Sequence, residues 1–403
     1  MHICFISREY PPSLRGGGIA SYVKEMAHGL HELGHQVTVI AASDDTRLSS
    51  EQDNEGVRVI RLKGGDFVIP QVEGCSYLKK FRMFYRFYSY RKSVLNAVKR
   101  LKDIDVIEVP EYGAEGYYLN KLNIPVITRL HTPAMFDRNN LGITHFYGFD
   151  KIFAWTGRKE LRLIVKSKYL SSCSQALAKW TVENLHVDKK RIKVIYNPVS
   201  LSFTTCLKGN DASKKRAKPS IVFVGTISDM KGCNDLFEAG QILRKRNFDF
   251  DMFLYGKIGE YAKKLKQKEK GSPWFHVMGK VKREEVFDIY REATIVCFPS
   301  WWDNMPMVCL EAMGVGAVVL GSSSGGMSEI IEDGKSGFLI EPHRPQELAE
   351  NIISLVGLSE ERRTSISENA QKRIHDSFGK EVIMRQMIEY YQDVIDNYKN
   401  ADK

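Results

Sequence analysis

The most informative stretch of the chain is Cys297-Phe-Pro-Ser-Trp-Trp-Asp303-Asn-Met-Pro306-Met-Val-Cys-Leu-Glu311-Ala-Met-Gly314. Its pattern predicts a buried strand end at Ile295 to Phe298, a loop that carries Asp303, and then a helix. Proline is tolerated in the first helical turn, so we expect the helix to open near Pro306 and to carry Glu311 two turns in. The free N–H groups at such a helix start form an anion site. The amides expected there are those of Asn304, Met305 and Met307.

The predicted ligand of this stretch combines an anion with hydroxyl groups. A phosphate would lie at the positive end of the helix, and the carboxylates of Asp303 and Glu311 would accept hydrogen bonds from a polyol. A sugar nucleotide carries both groups. The plain alternative is a strand, a loop and a helix of a doubly wound domain, with acids that take no part in binding.

The same residues resemble the donor-site signature of the retaining glycosyltransferases of family 4, in which two glutamates are separated by seven residues. Asp303 and Glu311 have that spacing, with Asp in place of the first Glu. Further matches are the turn Ser322-Ser-Ser-Gly325-Gly326, Glu329, and the run Ile331-Glu-Asp-Gly-Lys-Ser-Gly337-Phe-Leu. The resemblance covers nearly the whole chain. It implies an α/β protein of the GT-B fold, with two Rossmann-like, doubly wound parallel-sheet lobes that face each other across a cleft.

The length of the chain, 403 residues, fits two domains of about 200 residues each. Strand and helix patterns alternate from the first residue, which predicts parallel sheets with crossover helices. The predicted segments are an N-terminal lobe at 1–206, a linker at 207–220, a donor-side lobe at 221–381, and a C-terminal helix at 382–403. In GT-B enzymes such a final helix crosses back to the first lobe.

Composition and charge narrow the class of protein. The chain is 43% hydrophobic and 27% charged, which is ordinary for a soluble protein. Its first residues lack the basic flank of a signal peptide, and no apolar run reaches the roughly 20 residues that span a bilayer. We therefore expect a cytoplasmic protein. The seven cysteines are scattered without a Cys-x-x-Cys pair, which is typical of reduced core thiols.

Gly16-Gly-Gly18 precedes the first predicted helix, where backbone N–H groups can approach a phosphate closely. In the resembling family this loop caps the donor diphosphate from the opposite lobe, which implies donor contacts for Gly17 and Gly18. A dinucleotide-binding fold is the alternative, since Asp44 and Asp45 follow the second predicted strand. In a dinucleotide fingerprint, however, the glycines follow the first strand directly.

The resemblance also implies roles for single residues. Lys231 matches the basic residue that neutralises the donor diphosphate, but Thr226 stands where the family usually has Arg; Arg15, Arg129 and Lys280 are candidate substitutes. His131 follows a predicted strand and matches the histidine that touches the donor sugar from the other lobe, so activity would depend on closure. Glu311 would hold the ribose and Asp303 the sugar hydroxyls. The implied donor-binding residues are Gly17, Gly18, Thr226, Gly279, Asn304, Met305 and Met307.

Acidic residues elsewhere have less specific interpretations. Glu108 and Glu111 match a family pattern, with acceptor binding or loop structure as their two possible roles. Asp103-Ile-Asp105 and Asp249-Phe-Asp251 each precede an apolar strand, so we interpret them as strand-start residues and not as a metal site. We predict no catalytic metal and no cofactor beyond the donor substrate.

The segment Tyr77 to Lys102 has many lysines and arginines, interleaved aromatic residues and no acid. This pattern is typical of an interfacial helix on an anionic membrane surface. The alternative is a basic helix whose aromatic side chains pack on a sheet. Nucleic acid is not an expected partner, because no known binding motif accompanies the net charge of +10.

The predicted function is that of a retaining, metal-independent hexosyltransferase. It would move a hexose from a nucleotide-diphosphate sugar, with a UDP-sugar favoured and GDP-mannose second, to a glycan or lipid-linked acceptor in cell-surface polysaccharide assembly. Two alternatives stay open at this point. One is a nucleotide-sugar epimerase or phosphorylase on the same fold, and the other is an NAD-dependent oxidoreductase.

Overall fold

The computed structural model describes residues 1–13, 16–44, 49–64, 77–137, 140–145, 154–200 and 218–401. The chain divides into two compact units, each with its own sheet. Unit 1 comprises Met1–Pro198 and Lys380–Lys403, and unit 2 comprises Val199–Gly379. Most of the predicted linker, 207–220, lies outside the described residues and stays a prediction.

Unit 1 contains an eight-stranded sheet in the order β3-β4-β2-β1-β5-β6-β7-β8. Its strands are β1 (His2–Ile6), β2 (Gln36–Ala42), β3 (Ser50–Asn54), β4 (Val57–Leu62), β5 (Val106–Pro110), β6 (Val126–Leu130), β7 (Tyr169–Ser172) and β8 (Ile192–Val194). The first helices of the unit are α1 (Gly18–Glu32), α2 (Tyr77–Arg100), α3 (Ala154–Lys166) and α4 (Gln175–Leu185). The central strands β1 and β5 are buried along their whole length, as expected for parallel strands covered by helices on both faces.

Strand β3 is an exception to the parallel sheets that the sequence predicts. It pairs antiparallel with β4, from Ser50 opposite Arg61 to Asn54 opposite Val57. Glu55 and Gly56 form the turn between them, with φ of 54° and 84°. All five residues of β3 are polar, so no apolar alternation marks the strand in the sequence. An exposed polar edge strand of this kind also discourages pairing with another chain.

Unit 2 contains a six-stranded parallel sheet in the order β11-β10-β9-β12-β13-β14. Its strands are β9 (Ser220–Val224), β10 (Asp251–Tyr255), β11 (Phe275–Gly279), β12 (Ile295–Phe298), β13 (Val319–Ser322) and β14 (Phe338–Ile340). Its helices are α5 (Cys233–Lys245), α6 (Glu260–Lys266), α7 (Arg283–Glu292), α8 (Met307–Gly314), α9 (Met327–Ile330), α10 (Pro345–Val356) and α11 (Glu360–Phe378). The strand order reverses between β9 and β12, and ligands of open α/β sheets bind beyond the carboxyl ends of the strands at such a point.

The last helix, α12 (Lys380–Ala401), belongs to unit 1 and packs on α1. A Cβ at Gly29 of α1 would lie 2.6 Å from the terminal carbon of Met384, so the two helices approach closely there. Met387, Tyr391 and Val394 continue the buried face of α12 into the core formed by β1, β2 and α1. On the opposite face of the sheet, α2 forms the second core of unit 1.

Candidate functional site

An ion pair at the carboxyl edge of the unit 2 sheet joins two residues of the predicted site. The Nζ atom of Lys231 donates to Oδ2 of Asp303. Lys231 ends a short 3₁₀ turn, Asp229–Lys231, that follows β9, and Asp303 lies in the loop between β12 and α8. Both side chains are partly accessible, with exposed fractions of 32% and 19%, so a ligand can reach them.

The backbone holds the Lys231 turn against the end of β12. Gly232 has a φ of +69°, and a Cβ there would lie 2.0 Å from the carbonyl oxygen of Pro299. Only glycine permits this approach. The backbone N–H of Trp301 donates to the carbonyl of Met230 over 3.0 Å. The indole N–H of the same Trp301 donates to Asp235 on α5 over 3.1 Å.

The glycine-rich turn supports Asp303 from the other side. The N–H of Gly326 donates to the carbonyl of Asp303 over 2.8 Å. At Gly325, with a φ of +73°, a Cβ would lie 2.2 Å from the same carbonyl oxygen. The indole N–H of Trp302 donates to Oδ1 of Asn304 over 2.8 Å within the loop. The Asp303 loop is therefore anchored at both of its ends.

Helix α8 begins at Met307, in agreement with the predicted start near Pro306, but two other expectations change. Asn304 and Met305 lie in the loop before the helix, where both are buried, so the helix start consists of Met307 and the residues after it. Pro306 is the cap, and its carbonyl accepts from Cys309 over 3.0 Å. Glu311 is the fifth helical residue, a little more than one turn in and not two.

Glu311 pairs with Arg283, a residue that the sequence interpretation did not single out. The guanidinium of Arg283 donates to Oε1 of Glu311 over 3.0 Å. Arg283 is the first residue of α7, directly after the loop that leaves β11. Its signal in the sequence is a cation one short loop beyond the end of a strand, close to the candidate Lys280.

Thr226 and Gly279 lie at the same edge of the sheet. Thr226 is exposed two residues after the end of β9, and Gly279 ends β11 with a φ of +88°. The loops there are linked, since the carbonyl of Gly279 accepts from Gly256 over 2.9 Å and the N–H of Gly225 donates to Tyr255 over 2.9 Å. The predicted unit 2 residues therefore share one edge of one sheet.

His131 in unit 1 follows β6 and is held by a buried carboxylate. Its backbone N–H donates to both oxygens of Glu111 over 2.9 Å, and the N–H of Thr132 donates to Oε1 over 2.6 Å. The imidazole packs edge-on against Tyr22 with the ring centroids 5.2 Å apart. Burial, followed by the charge of Arg129, holds the pKa of His131 well below its ordinary value. The imidazole is therefore neutral at neutral pH.

Glu108 and Glu111, the acceptor candidates, both have partners inside unit 1. Burial raises the pKa of Glu111 to about 8, although the backbone hydrogen bonds from His131 and Thr132 oppose the shift. Glu108 accepts from the hydroxyl of Tyr22 over 2.7 Å and from that of Tyr391 over 2.8 Å. These contacts favour a structural role for both glutamates over a role in acceptor binding.

Arg129 does not fit the role of a substitute for the missing family arginine. It is fully buried in unit 1, where its guanidinium lies 4.6 Å from the centroid of the Tyr22 ring and donates to Asn197 over 2.9 Å. Its contacts therefore lie within the core of unit 1. Arg15 lies outside the described residues. Lys280 is exposed just beyond β11 and keeps its candidacy.

The glycines before α1 leave the backbone accessible. Gly16, Gly17 and Gly18 are exposed or nearly so, and α1 begins at Gly18. A Cβ at Gly16 or Gly18 would have no described atom within 4 Å. The backbone of these glycines is therefore accessible to a ligand.

Further buried acids near His131 were not predicted. Glu160 of α3 accepts from the N–H groups of Gly113 and Ala134, each over 2.7 Å, and burial raises its pKa to about 7. Glu115 accepts from the N–H of Arg8 over 3.0 Å, and burial likewise raises its pKa to about 7. These carboxylates fix the loops after β1, β5 and β6, and their partners are too distant in sequence to be recognised from a local pattern.

The structure assigns structural partners to the two Asp-x-Asp segments. Asp105 accepts from the N–H of His2 over 2.7 Å, and Asp249 pairs with Lys218 and Arg244, each over 3.1 Å. In the described part of the chain, no three His, Cys, Asp or Glu side chains are arranged to hold a metal ion. Among the same residues, no helix is both long enough and apolar enough to cross a membrane.

Comparison with known proteins gives a consistent result for both units. Residues 16–203 match the model of Glycosyltransferase Family 4, and residues 209–373 match that of Glycosyl transferases group 1. An uncharacterized glycosyltransferase of Methanocaldococcus jannaschii is 24% identical, with 97% of this chain and 98% of the relative covered. The two models together match nearly the whole chain and identify it as a glycosyltransferase. The chain belongs to glycosyltransferase family 4, which confirms the resemblance seen in the sequence.

Solved structures show the same fold at low sequence identity. Sucrose-phosphate synthase from Thermosynechococcus elongatus has a TM-score of 0.79 at 18% identity and covers 98% of this chain and 99% of its own. The Anabaena protein HepE in complex with UDP-glucose has a TM-score of 0.69 at 18% identity, covering 98% and 100%. The GT-B fold predicted from the sequence is confirmed.

Proposed function

We propose that this glycosyltransferase is a hexosyltransferase that uses a nucleotide-diphosphate sugar and retains the anomeric configuration. The donor is a UDP-sugar by preference and GDP-mannose as the second choice, and the acceptor is a glycan or a lipid-linked glycan of cell-surface polysaccharide assembly. The observation that carries the proposal is the placement of Lys231, Asp303 and Glu311 at the switch-point edge of the unit 2 sheet. HepE, which shares the fold, is described with UDP-glucose bound.

The proposed chemistry divides the donor among these residues. The bond between the anomeric carbon and the diphosphate oxygen breaks, the acceptor oxygen bonds to that carbon on the same face, and the acceptor hydroxyl proton passes to the departing diphosphate oxygen. Lys231 and the amides at the start of α8 stabilise the departing diphosphate. Glu311 binds the ribose and Asp303 the hydroxyls of the hexose. Positioning and electrostatic stabilisation therefore supply most of the rate.

The ion pair between Lys231 and Asp303 would exchange its partners when the donor binds. A diphosphate carries more negative charge than one carboxylate, so Lys231 gains a stronger partner when the donor binds. Asp303 then exchanges the ammonium group for the sugar hydroxyls. A nucleotide diphosphate without its sugar would bind beside Lys231 while Lys231 keeps its contact with Asp303, so only the sugar requires this exchange.

His131 is the proposed sugar contact from unit 1. Its pKa lies well below the ordinary value because of burial and the nearby charge of Arg129. A neutral imidazole suits a hydroxyl group, to which it donates or from which it accepts, better than it suits a phosphate. We propose no metal and no cofactor in this reaction.

The inner face of α2 fits the alternative in which aromatic side chains pack on a sheet. One face of α2 is buried against the unit 1 sheet through Phe87, Tyr90 and Arg91. This face therefore cannot lie on a membrane surface. Tyr85 and Tyr88 are 66% and 46% exposed. We propose that this outer face associates with an anionic membrane surface, at the cytoplasmic side, while the inner face packs on the sheet.

Neighbouring elements extend the outer face of α2. The Nζ atom of Lys92 lies 4.7 Å from the centroid of the Tyr118 ring, and Lys121 contacts the same ring at 5.9 Å. Tyr88 meets Tyr118 edge-on with the centroids 6.2 Å apart. Tyrosines and lysines together suit the headgroup layer of a bilayer, where aromatic rings and cations both find partners.

The experiment that tests the proposed function combines binding with turnover. UDP, GDP, ADP and NAD would be screened by thermal shift, and the hexose donors of the nucleotide diphosphates would then be incubated with a membrane fraction as acceptor source. We expect one diphosphate to stabilise the protein and its sugar to be transferred to a glycan or lipid. Consumption of the donor without transfer would favour an epimerase or phosphorylase, and stabilisation by NAD alone would favour an oxidoreductase.

A further inference from the structure

Arg283 occupies a position that neither the sequence pattern nor the proposed catalytic set explains. It contacts Glu311, the carboxylate that the proposed function gives to the ribose. We propose that Arg283 is a positioning residue that holds the Glu311 carboxylate in the orientation that receives the ribose hydroxyls. This inference rests on the proposed function and adds to it a determinant of nucleotide recognition.

The two partners differ strongly in burial. The Glu311 side chain is 11% exposed, whereas the Arg283 side chain is 45% exposed. A carboxylate that is mostly removed from water needs a compensating partner, and a charged hydrogen bond of 3.0 Å supplies one. Glutamate also has three side-chain torsions, so a fixed contact at one oxygen restricts the direction of the other.

The charge of Glu311 affects a buried residue next to it, Tyr290. Tyr290 of α7 is fully buried, and its pKa lies well above the ordinary value because of burial first and the charge of Glu311 second. The charge of Arg283 opposes that shift. Arg283 and Tyr290 therefore both lie within electrostatic reach of the Glu311 carboxylate, and both come from α7.

A second ion pair in unit 2 provides a matched control. Arg246 contacts Glu350 over 3.2 Å, with exposed fractions of 41% and 54%. Arg246 lies at the end of α5, just before β10, and is therefore at the opposite edge of the sheet from Glu311. A pair exposed on both sides contributes little, so its loss should change neither nucleotide binding nor the fold noticeably.

The test compares ribonucleotides with nucleotides that lack the ribose hydroxyls. Dissociation constants of UDP, GDP and their 2′,3′-dideoxy forms would be measured by calorimetry for the wild type, Arg283→Gln, Arg283→Lys, Glu311→Gln and Arg246→Gln. We expect the wild type to prefer the ribose form by at least about tenfold, the size of one charged hydrogen bond. Arg283→Gln and Glu311→Gln should lose that preference by weakening ribose-form binding alone. Arg283→Lys should restore part of it, and Arg246→Gln should match the wild type.

Three results would overturn the inference. Unchanged ribose preference in Arg283→Gln would show that Glu311 needs no help in orientation. Equally weakened binding of the ribose and dideoxy forms would show that Arg283 contacts the base or the phosphate. Tighter ribose-form binding would mean that Arg283 competes for Glu311. A wild type that binds no nucleotide would contradict the proposed function as well, whereas binding without any ribose preference would contradict only this inference and the role of Glu311.

Discussion

Lys231 and Asp303 are 72 residues apart in the sequence and form an ion pair at one edge of the unit 2 sheet. The pair depends on two close backbone approaches, because Gly232 lies against Pro299 and Gly325 lies against Asp303 itself. The loops that carry the two charges are thereby fixed before any ligand arrives. Such preorganisation is what electrostatic stabilisation of a leaving diphosphate requires.

Replacing Gly232 with Ala tests this arrangement. The new Cβ would stand 2.0 Å from the carbonyl oxygen of Pro299, in addition to the strain at a φ of +69°. We expect the Lys231 turn to move, the melting temperature to fall by several degrees, and sugar transfer to fall at least about a hundredfold. Both quantities can be measured on purified protein.

Gly334→Ala is the matched control for that variant. Gly334 has a φ of +68°, and a Cβ there would have no described atom within 4 Å. Gly334→Ala should therefore lower the free energy of unfolding by about 1 kcal/mol through backbone strain alone. Its rate of sugar transfer should equal that of the wild type. If the two alanine variants lose transfer equally, the contact with Pro299 does not position Lys231.

The pH dependence of stability provides a second prediction, through Glu111. Its pKa is about 8 in the folded protein, against an ordinary value of 4.5. Between those values the folded state binds the proton more tightly than the unfolded state does, so this group favours folding at low pH. Its contribution is lost as the pH rises from about 4.5 through about 8. Glu111→Gln should therefore show a smaller fall in melting temperature between pH 5 and pH 8 than the wild type does.

The control for this prediction is Glu347→Gln, on the exposed surface of α10. Its melting temperatures should parallel those of the wild type across the same pH range. A Glu111→Gln variant that also parallels the wild type would show that this carboxyl holds no extra proton in the folded state.

Membrane association is predicted to require the exposed tyrosines on the outer face of α2. The double variant Tyr85→Ser and Tyr88→Ser should lose sedimentation with anionic liposomes and change its melting temperature little, because the two residues are 66% and 46% exposed. Wild-type association should weaken in high salt and be absent with neutral liposomes.

Phe87→Ala separates packing from lipid contact, because Phe87 is 3% exposed in the second core of unit 1. It should lower stability by about 3 kcal/mol or more and leave liposome association of the folded protein intact. If the tyrosine double variant still bound liposomes, the outer face of α2 would not be the membrane-binding surface.

Metal independence can be tested by chelation. We propose that Lys231 and the amides at the start of α8 carry the charge compensation that a divalent cation supplies in other transferases. Turnover should therefore be unchanged after treatment with excess EDTA and gel filtration. Activity that disappears and returns with Mn²⁺ or Mg²⁺ would contradict this expectation.

The sequence predicted those features that depend on local spacing. The pattern formed by Asp303, Glu311 and the flanking glycines is local in the chain. It was therefore sufficient to indicate both the fold and the family. Features made by distant residues were missed. Arg283 pairs with a carboxylate 28 positions away, and Glu108 bonds to Tyr391 across 283 positions. No local pattern records such partners, and the burial that raises the pKa of Glu111 becomes visible only in the folded chain.

The division of labour between the two carboxylates is the central claim. Glu311→Ala should weaken binding of the free nucleotide diphosphate, because this carboxylate serves the ribose. Asp303→Ala should bind the free diphosphate within about threefold of the wild type and lose sugar transfer, because it serves the hexose. Asp303→Glu, which restores the residue usual in the family, should keep measurable transfer.

The most direct measurement is the pair of values obtained for Asp303→Ala: the calorimetric dissociation constant for the free nucleotide diphosphate and the rate of sugar transfer from the matching donor. The account predicts an almost unchanged dissociation constant together with a rate lowered by at least about a hundredfold. A transfer rate equal to that of the wild type would contradict it, and so would a loss of diphosphate binding as large as that of Glu311→Ala.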